Sequence, residues 1–282
     1  MDYWQQFQSS SDCSIYSLDM VRLSVDFRNE LDGFEAWVKH LAEFDAKYDV
    51  KCHQSFDWFK FRKVFTFTVQ GCSWCVGVGW QKFPSKGFVE FNPNKCFSSP
   101  TFCSWWDCFK LKTPRRDLKR YDMAIDIPCD RANAWLFRVG KKNYQVVESD
   151  SGYTEYLGQR SHNGFIKLYD KTKEAKLRYP LTRLEMTLDA DTDPAAEFPT
   201  VWLFDDQLSL ASPDFEALPA PDRVLLQLFR ECPLPRRRYY WGQLDSRKRK
   251  KLEPYLADKA LTFDSRLANE VKQLARSLCT LP

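Results

Sequence analysis

Between positions 165 and 171 the chain reads Phe-Ile-Lys-Leu-Tyr-Asp-Lys. In an extended strand successive side chains take opposite faces. Ile166 and Leu168 therefore point one way, and Lys167, Tyr169 and Lys171 the other. A tyrosine flanked by two cations is a candidate nucleophile, because nearby positive charge favours phenolate over phenol. Two further segments offer partners for it. In residues 121–127 the same period sets Asp122, Ala124 and Asp126 against Met123, Ile125 and Ile127. In residues 181–188 it sets Arg183, Glu185 and Thr187 against Leu184, Met186 and Leu188. If these strands are neighbours, one sheet face carries a tyrosine, two lysines, an arginine and two or three carboxylates. Such a set suits phosphodiester transfer: carboxylates to hold a divalent metal, cations to neutralise phosphate, and Tyr169 to attack. Taken singly, a strand tyrosine is an ordinary amphipathic surface residue and an exposed carboxylate is ordinarily just solvated.

The elements that must position these groups follow from periodicity. Val21, Leu23, Val25 and Phe27 alternate with polar residues and predict a strand. Phe34, Trp37, Val38, Leu41 and Phe44 recur at helical spacing and predict an amphipathic helix over 31–47, with Asp32 near its start. Residues 62–92 hold three β-rich runs separated by glycines and a Pro84–Gly87 turn, which reads as an antiparallel meander. Strand patterns return at 121–127, 153–159, 164–170 and 181–188. Most links are too short for repeated parallel crossovers. The expected fold class is therefore α+β, a mainly antiparallel central sheet flanked by helices. Prolines at 194, 199, 213, 219 and 221 suggest a connecting segment, followed by helices over 223–231, 245–256 and 263–278. The expected division is a catalytic domain over 1–192, then a linker and small helical C-terminal DNA-binding module over 193–282.

Composition narrows the class. Aromatic residues make up 16% of the 282 and charged residues 28%, enough apolar surface for a packed core and no signature of disorder. The first dozen residues lack a basic and then apolar pattern, and no run approaches the roughly 18 apolar residues of a membrane helix, so a cytoplasmic location without membrane association is expected. The 10 cysteines are then expected as reduced thiols. Cys72 and Cys75 form a CxxC, with Cys96, Cys103 and Cys108 following, but the spacing matches no common zinc finger. The net charge of +4 is modest, but its distribution is not. One basic cluster runs from Lys110 to Arg120. A second takes in Arg236, Arg237, Arg238, Arg247, Lys248 and Lys251, interleaved with Tyr239, Tyr240 and Trp241, a mixture suited to phosphate contact and base stacking.

At the same strands the sequence resembles the replication initiation factor family, the trans-acting initiators of staphylococcal-type rolling-circle plasmids and their relatives in phages and integrative elements. The run TEYLGQRSHNGFIKLYDK at 154–171 is similar to the family pattern Tyr-Phe/Leu-Gly-x-Arg-x-Ser, a short gap, then Phe-Ile-Arg-hydrophobic-Tyr-Asn/Asp-Lys. FVEFNPNK at 88–95, RYDMAID at 120–126 and TRLEMTL at 182–188 keep family order around it. The likeness covers about residues 88–190. It implies that Tyr169 becomes joined to the 5′ end of a nicked strand and that Asp122, Asp126 and Glu185 bind a divalent metal, Mg2+ or Mn2+. Lys167 departs from the family's arginine, keeping charge but losing bidentate geometry, which Arg160 and Arg183 could supply. With only His40, His53 and His162, the chain lacks the His-hydrophobic-His signature of the other large class of rolling-circle nucleases.

The resemblance implies an origin-specific nicking and rejoining enzyme. Its partners would be duplex and single-stranded origin DNA, a host replicative helicase and a second copy of itself as a homodimer. The C-terminal basic residues and Asn92 are the expected DNA contacts. The rival readings are a relaxase of a conjugative or integrative element, and a non-catalytic DNA-binding regulator on the same fold.

Overall fold

The computed structural model describes residues 6–10, 13–28, 30–53, 61–69, 71–137, 143–150, 152–160, 162–203, 215–232, 234–255 and 259–280. Its centre is an 11-stranded antiparallel sheet. Strand β1 (Phe7–Gln8) pairs with β2 (Ile15–Asp26). Helix α1 (Leu31–Phe44) follows, then β3 (Asp49–His53) and the meander β4 (Phe61–Val69), β5 (Cys72–Trp80) and β6 (Phe83–Phe91). Next come the short helix α2 (Pro93–Cys96), α3 (Pro100–Lys112) and β7 (Arg115–Ile127), then β8 (Ala134–Phe137), β9 (Tyr144–Ser149), β10 (Gly152–Leu157) and β11 (Phe165–Asp170). One turn of helix, α4 (Lys171–Glu174), leads to β12 (Thr182–Asp189). The spatial order is β3-β4-β5-β6-β2-β7-β12-β11-β10-β9. The α+β class read from the sequence is the class observed.

Alternation decides which face is buried. Leu23 and Val25 of β2, Met123 and Ile125 of β7, Leu184 and Met186 of β12, and Ile166 and Leu168 of β11 all enter the main core. Helix α1 seats Phe34, Val38 and Leu41 there and ends at Phe44, three residues short of the expected boundary. Helix α3 is absent from the sequence-based elements. Ser99 caps it, accepting from the Phe102 amide, and Phe102, Trp105, Trp106 and Phe109 pack inward. Its apolar residues wrap much of its circumference, so it shows no clean stripe.

The C-terminal part is more tightly integrated than a linker and appended module. Helix α5 (Pro194–Glu197) and strand β13 (Thr200–Leu203) occupy the start of the expected connecting segment; residues 204–214 lie outside the described part. Strand β13 pairs with β8 and with β14 (Lys259–Ala260) in a second, three-stranded sheet. Leu136, Val201 and Leu203 of this sheet face the main core. Trp135 and Trp202 face a second cluster with Leu226 and Phe229 of α6 (Ala220–Glu231), Trp241 of α7 (Leu234–Gln243) and Leu252 of α8 (Ser246–Leu252). The last helix, α9 (Ser265–Thr280), leaves that cluster. It packs on β2 and β7, burying Leu267, Val271, Ala275 and Leu278 in the main core.

Candidate active site

The expected adjacency of the chemical strands is observed, and register fixes who meets whom. Tyr169 of β11 lies opposite Arg183 of β12, and Lys167 opposite Glu185. Across the next ladder Arg183 lies opposite Asp126 of β7, Glu185 opposite Ala124, and Thr187 opposite Asp122. These side chains share the sheet face turned away from α1, α3 and α9. Tyr169, Lys167, Lys171, Arg183 and Glu185 line a polar cleft of about 1260 Å³, and Arg160 reaches it, exposed, from the β10–β11 turn.

The Tyr169 hydroxyl donates to Glu185 Oε1 at 2.6 Å, and Lys167 Nζ donates to Glu185 Oε2 at 2.7 Å. Burial alone would raise the Glu185 pKa, but Lys167 and the phenol outweigh it and hold the carboxylate ionised below its ordinary range. Tyr169 goes the other way: burial first, then the Glu185 charge, pushes its phenol well above the usual value, against a smaller pull from Arg183. This corrects the expectation that Lys167 and Lys171 favour the phenolate. Lys167 is committed to Glu185. Lys171 pairs with Glu174 and sits 5.9 Å from the Tyr169 ring centroid, over the ring rather than at the oxygen. What Tyr169 has instead is a partnered, ionised carboxylate positioned to take its proton.

The three acidic positions do not assemble as a metal cage. Arg183 holds both Asp126 oxygens, Nε to Oδ1 at 2.5 Å and Nη2 to Oδ2 at 2.7 Å. Glu185 is shared between Tyr169 and Lys167. Asp122 sits two residues along the strand from the row of Glu185, hydrogen-bonded to Thr187, and burial pushes its pKa up to about 6. Among the described residues no three His, Cys, Asp or Glu side chains group as metal ligands. As arranged, these residues do not fit a divalent cation, because the arginine and lysine already hold the oxygens it would need. The cysteines form no zinc site among the described residues either: Cys72 and Cys96 meet in the core with sulfurs 2.8 Å apart, while Cys75 faces Glu90 from the other side of the sheet.

Asp19 is a site residue that the strand pattern overlooks. It sits in a β-bulge where the β2–β7 register shifts between Leu18 and Met20, and a bulge redirects the side chain it inserts. Its carboxylate lines the cleft and accepts from Asn92 Nδ2 at 3.1 Å and Arg183 Nη1 at 3.3 Å. Burial and the neighbouring Glu185 charge raise its pKa, against pulls from Arg183 and Lys171. The sequence does carry a trace of the bulge. Core residues fall at 16, 18, 21, 23 and 25, and the single three-residue step marks the inserted position.

The expected DNA contacts fare unequally. Asn92 is buried; its side chain caps α2 by accepting from the Lys95 amide and also holds Asp19, so it positions the site from within. Lys248 and Lys251 both pair with Asp222, whose side chain is 2% exposed, and so tie α8 to α6. Arg236 and Arg247 are exposed; the side chains of Arg237 and Arg238 lie outside the described part.

Compared with known proteins, the sequence matches no family model and no curated protein. Among solved structures, a rolling circle replication initiator protein from Geobacillus stearothermophilus is similar over 92% of this chain and 96% of that one, at 13% identity and a TM-score of 0.39. No helix among the described residues is long and apolar enough to cross a membrane.

Proposed function

We propose that this protein nicks and rejoins a DNA strand through Tyr169, as an initiator of rolling-circle replication. The observation that carries the reading is the Tyr169–Glu185–Lys167 relay on the wall of a polar cleft, with Arg183 beside it. A phosphodiester would be drawn in by Arg183, Lys171 and Arg160. Glu185 takes the phenolic proton while Tyr169 Oη attacks phosphorus. The Oη–P bond forms as the P–O3′ bond breaks, and the departing 3′ oxygen takes up a proton from water. The product is a 5′-phosphotyrosine and a free 3′-hydroxyl able to prime synthesis; attack by a 3′-hydroxyl reverses the step and rejoins the strand.

From the sequence resemblance the proposal also takes duplex origin recognition, a homodimer and a helicase partner. No step above is routed through a divalent metal, whose expected ligands are held by cations. The deciding experiment is a denaturing gel of protein incubated with single-stranded DNA, wild type against Tyr169→Phe. A covalent adduct with the first alone is expected. Adduct with both would move the nucleophile to another tyrosine, and adduct with neither would leave the non-catalytic DNA-binding reading.

A further inference from the structure

The cleft is chemically divided, and only one half is accounted for by phosphate chemistry. Lys167, Lys171 and Arg183 lie on β11, its C-terminal end and β12. The adjoining part of the cleft, formed by β9, β10 and the turn after them, carries the uncharged Gln145, Thr154, Tyr156 and Gln159, with the cation Arg160 at the turn. Register places this wall with the relay: Gln145 lies opposite Tyr156, Tyr156 opposite Lys167, and Lys167 opposite Glu185. These four form one row across four strands, so Gln145 stands about 10 Å, two interstrand spacings, from Lys167.

Tyr156 is half-buried, and its ring stacks on Phe165 with centroids 5.8 Å apart and planes 14° from parallel. That contact fixes the ring while leaving part of it open to the cleft. The Gln145 and Gln159 side chains are exposed and make no hydrogen bond among the described residues. Paired amides that both donate and accept, beside an aromatic ring, are what unpaired bases require: amides bond base edges and the ring supplies a stacking surface. Arg160 at the turn suits the adjoining phosphate, which positions the strand while the amides and ring face its bases.

From this division we infer that the β9–β10 wall reads the bases beside the scissile phosphate. Gln145 and Gln159 would set sequence preference, and Tyr156 would hold a flanking base. The inference rests on the nicking reading above. It places nick-site choice in the catalytic cleft, separate from duplex binding by the C-terminal basic surface. It also requires the strand to be single at the cleft, since bases in a duplex do not present their edges to such a wall.

The test uses the full chain and a pool of single-stranded oligonucleotides randomised over a central segment. Covalent adducts are isolated and the linked DNA sequenced. Wild type should enrich a short motif around the joined nucleotide. The double variant Gln145→Ala/Gln159→Ala should lose preference at one or two positions of that motif while total adduct yield stays within about threefold. On the enriched sequence Tyr156→Ala should raise KM roughly tenfold or more with little change in kcat, the scale of one lost base stack, and Tyr156→Phe should restore it. An unchanged motif in the double variant overturns the inference while the nicking reading stands. No adduct from wild type on any member of the pool overturns both.

Discussion

A phenol whose proton points along a 2.6 Å bond to an ionised carboxylate does not need to be ionised beforehand. This distinguishes general-base attack from attack by a preformed phenolate, and pH separates the two. Glu185 is held ionised below the ordinary carboxylate range, so across neutral pH it is already the base. The nicking rate is therefore expected to stay nearly flat from about pH 6 to 9. Glu185→Gln removes the base and should lower the rate by roughly 10²- to 10⁴-fold. What remains must come from the rare phenolate, so its rate should climb about tenfold per pH unit. A wild-type profile with that same slope would show that Glu185 does not accept the proton. Tyr169→Phe should abolish the adduct yet bind single-stranded DNA within a few-fold of wild type, measured by fluorescence anisotropy.

Strands and their irregularities place these groups, and the cost of placement falls on the same elements. Asp122 is half-buried on β7 with its pKa raised from 3.8 to about 6. A group raised in the folded state favours folding below its unfolded value, and that contribution is lost as pH rises through 6. At pH 8 the charged carboxylate thus weakens the fold, and Asp122→Asn, which keeps a partner for Thr187, should be more stable than wild type by roughly 2–3 kcal/mol. At pH 4 the two should unfold at nearly the same urea concentration. The β5–β6 pair shows the opposite kind of constraint. A Cβ on Gly87 would lie 2.3 Å from the Gly77 carbonyl oxygen and 2.7 Å from the Phe27 ring. Gly87→Ala is expected to destabilise by about 1–3 kcal/mol in urea unfolding, through backbone shifts in a packed sheet.

At the scale of the whole molecule, the C-terminal basic residues divide into those that hold helices together and those left exposed, which the proposed function would turn to DNA. Lys251 and Lys248 are held by the nearly inaccessible Asp222, whereas Arg236 and Arg247 are exposed. Each phosphate contact contributes about 0.9 to the salt slope of duplex binding. Arg236→Ala and Arg247→Ala should each flatten the slope by about that much at unchanged thermal stability. Lys251→Ala should lower the melting temperature and leave the slope alone. If Lys251→Ala flattens the slope while Arg236→Ala and Arg247→Ala do not, the assignment of contacts is reversed.

Alternation by itself determined the fold class and the face that carries Tyr169, Lys167, Arg183 and Glu185. A period of two leaves no freedom once Ile166, Leu168, Leu184 and Met186 must be buried. It could not give register, which depends on pairing between strands remote in sequence. Register is what put Arg183 on Asp126 and Glu185 between Tyr169 and Lys167, turning expected metal ligands into ion-paired ones and an expected phenolate into a hydrogen-bonded phenol. Nor could a regular period locate Asp19, because a bulge breaks the period at the residue it redirects. The Asp222 ion pairs were equally hidden. A run such as Lys248 to Lys251 reads as free charge until tertiary packing of α6 against α8 sets a buried carboxylate beside it.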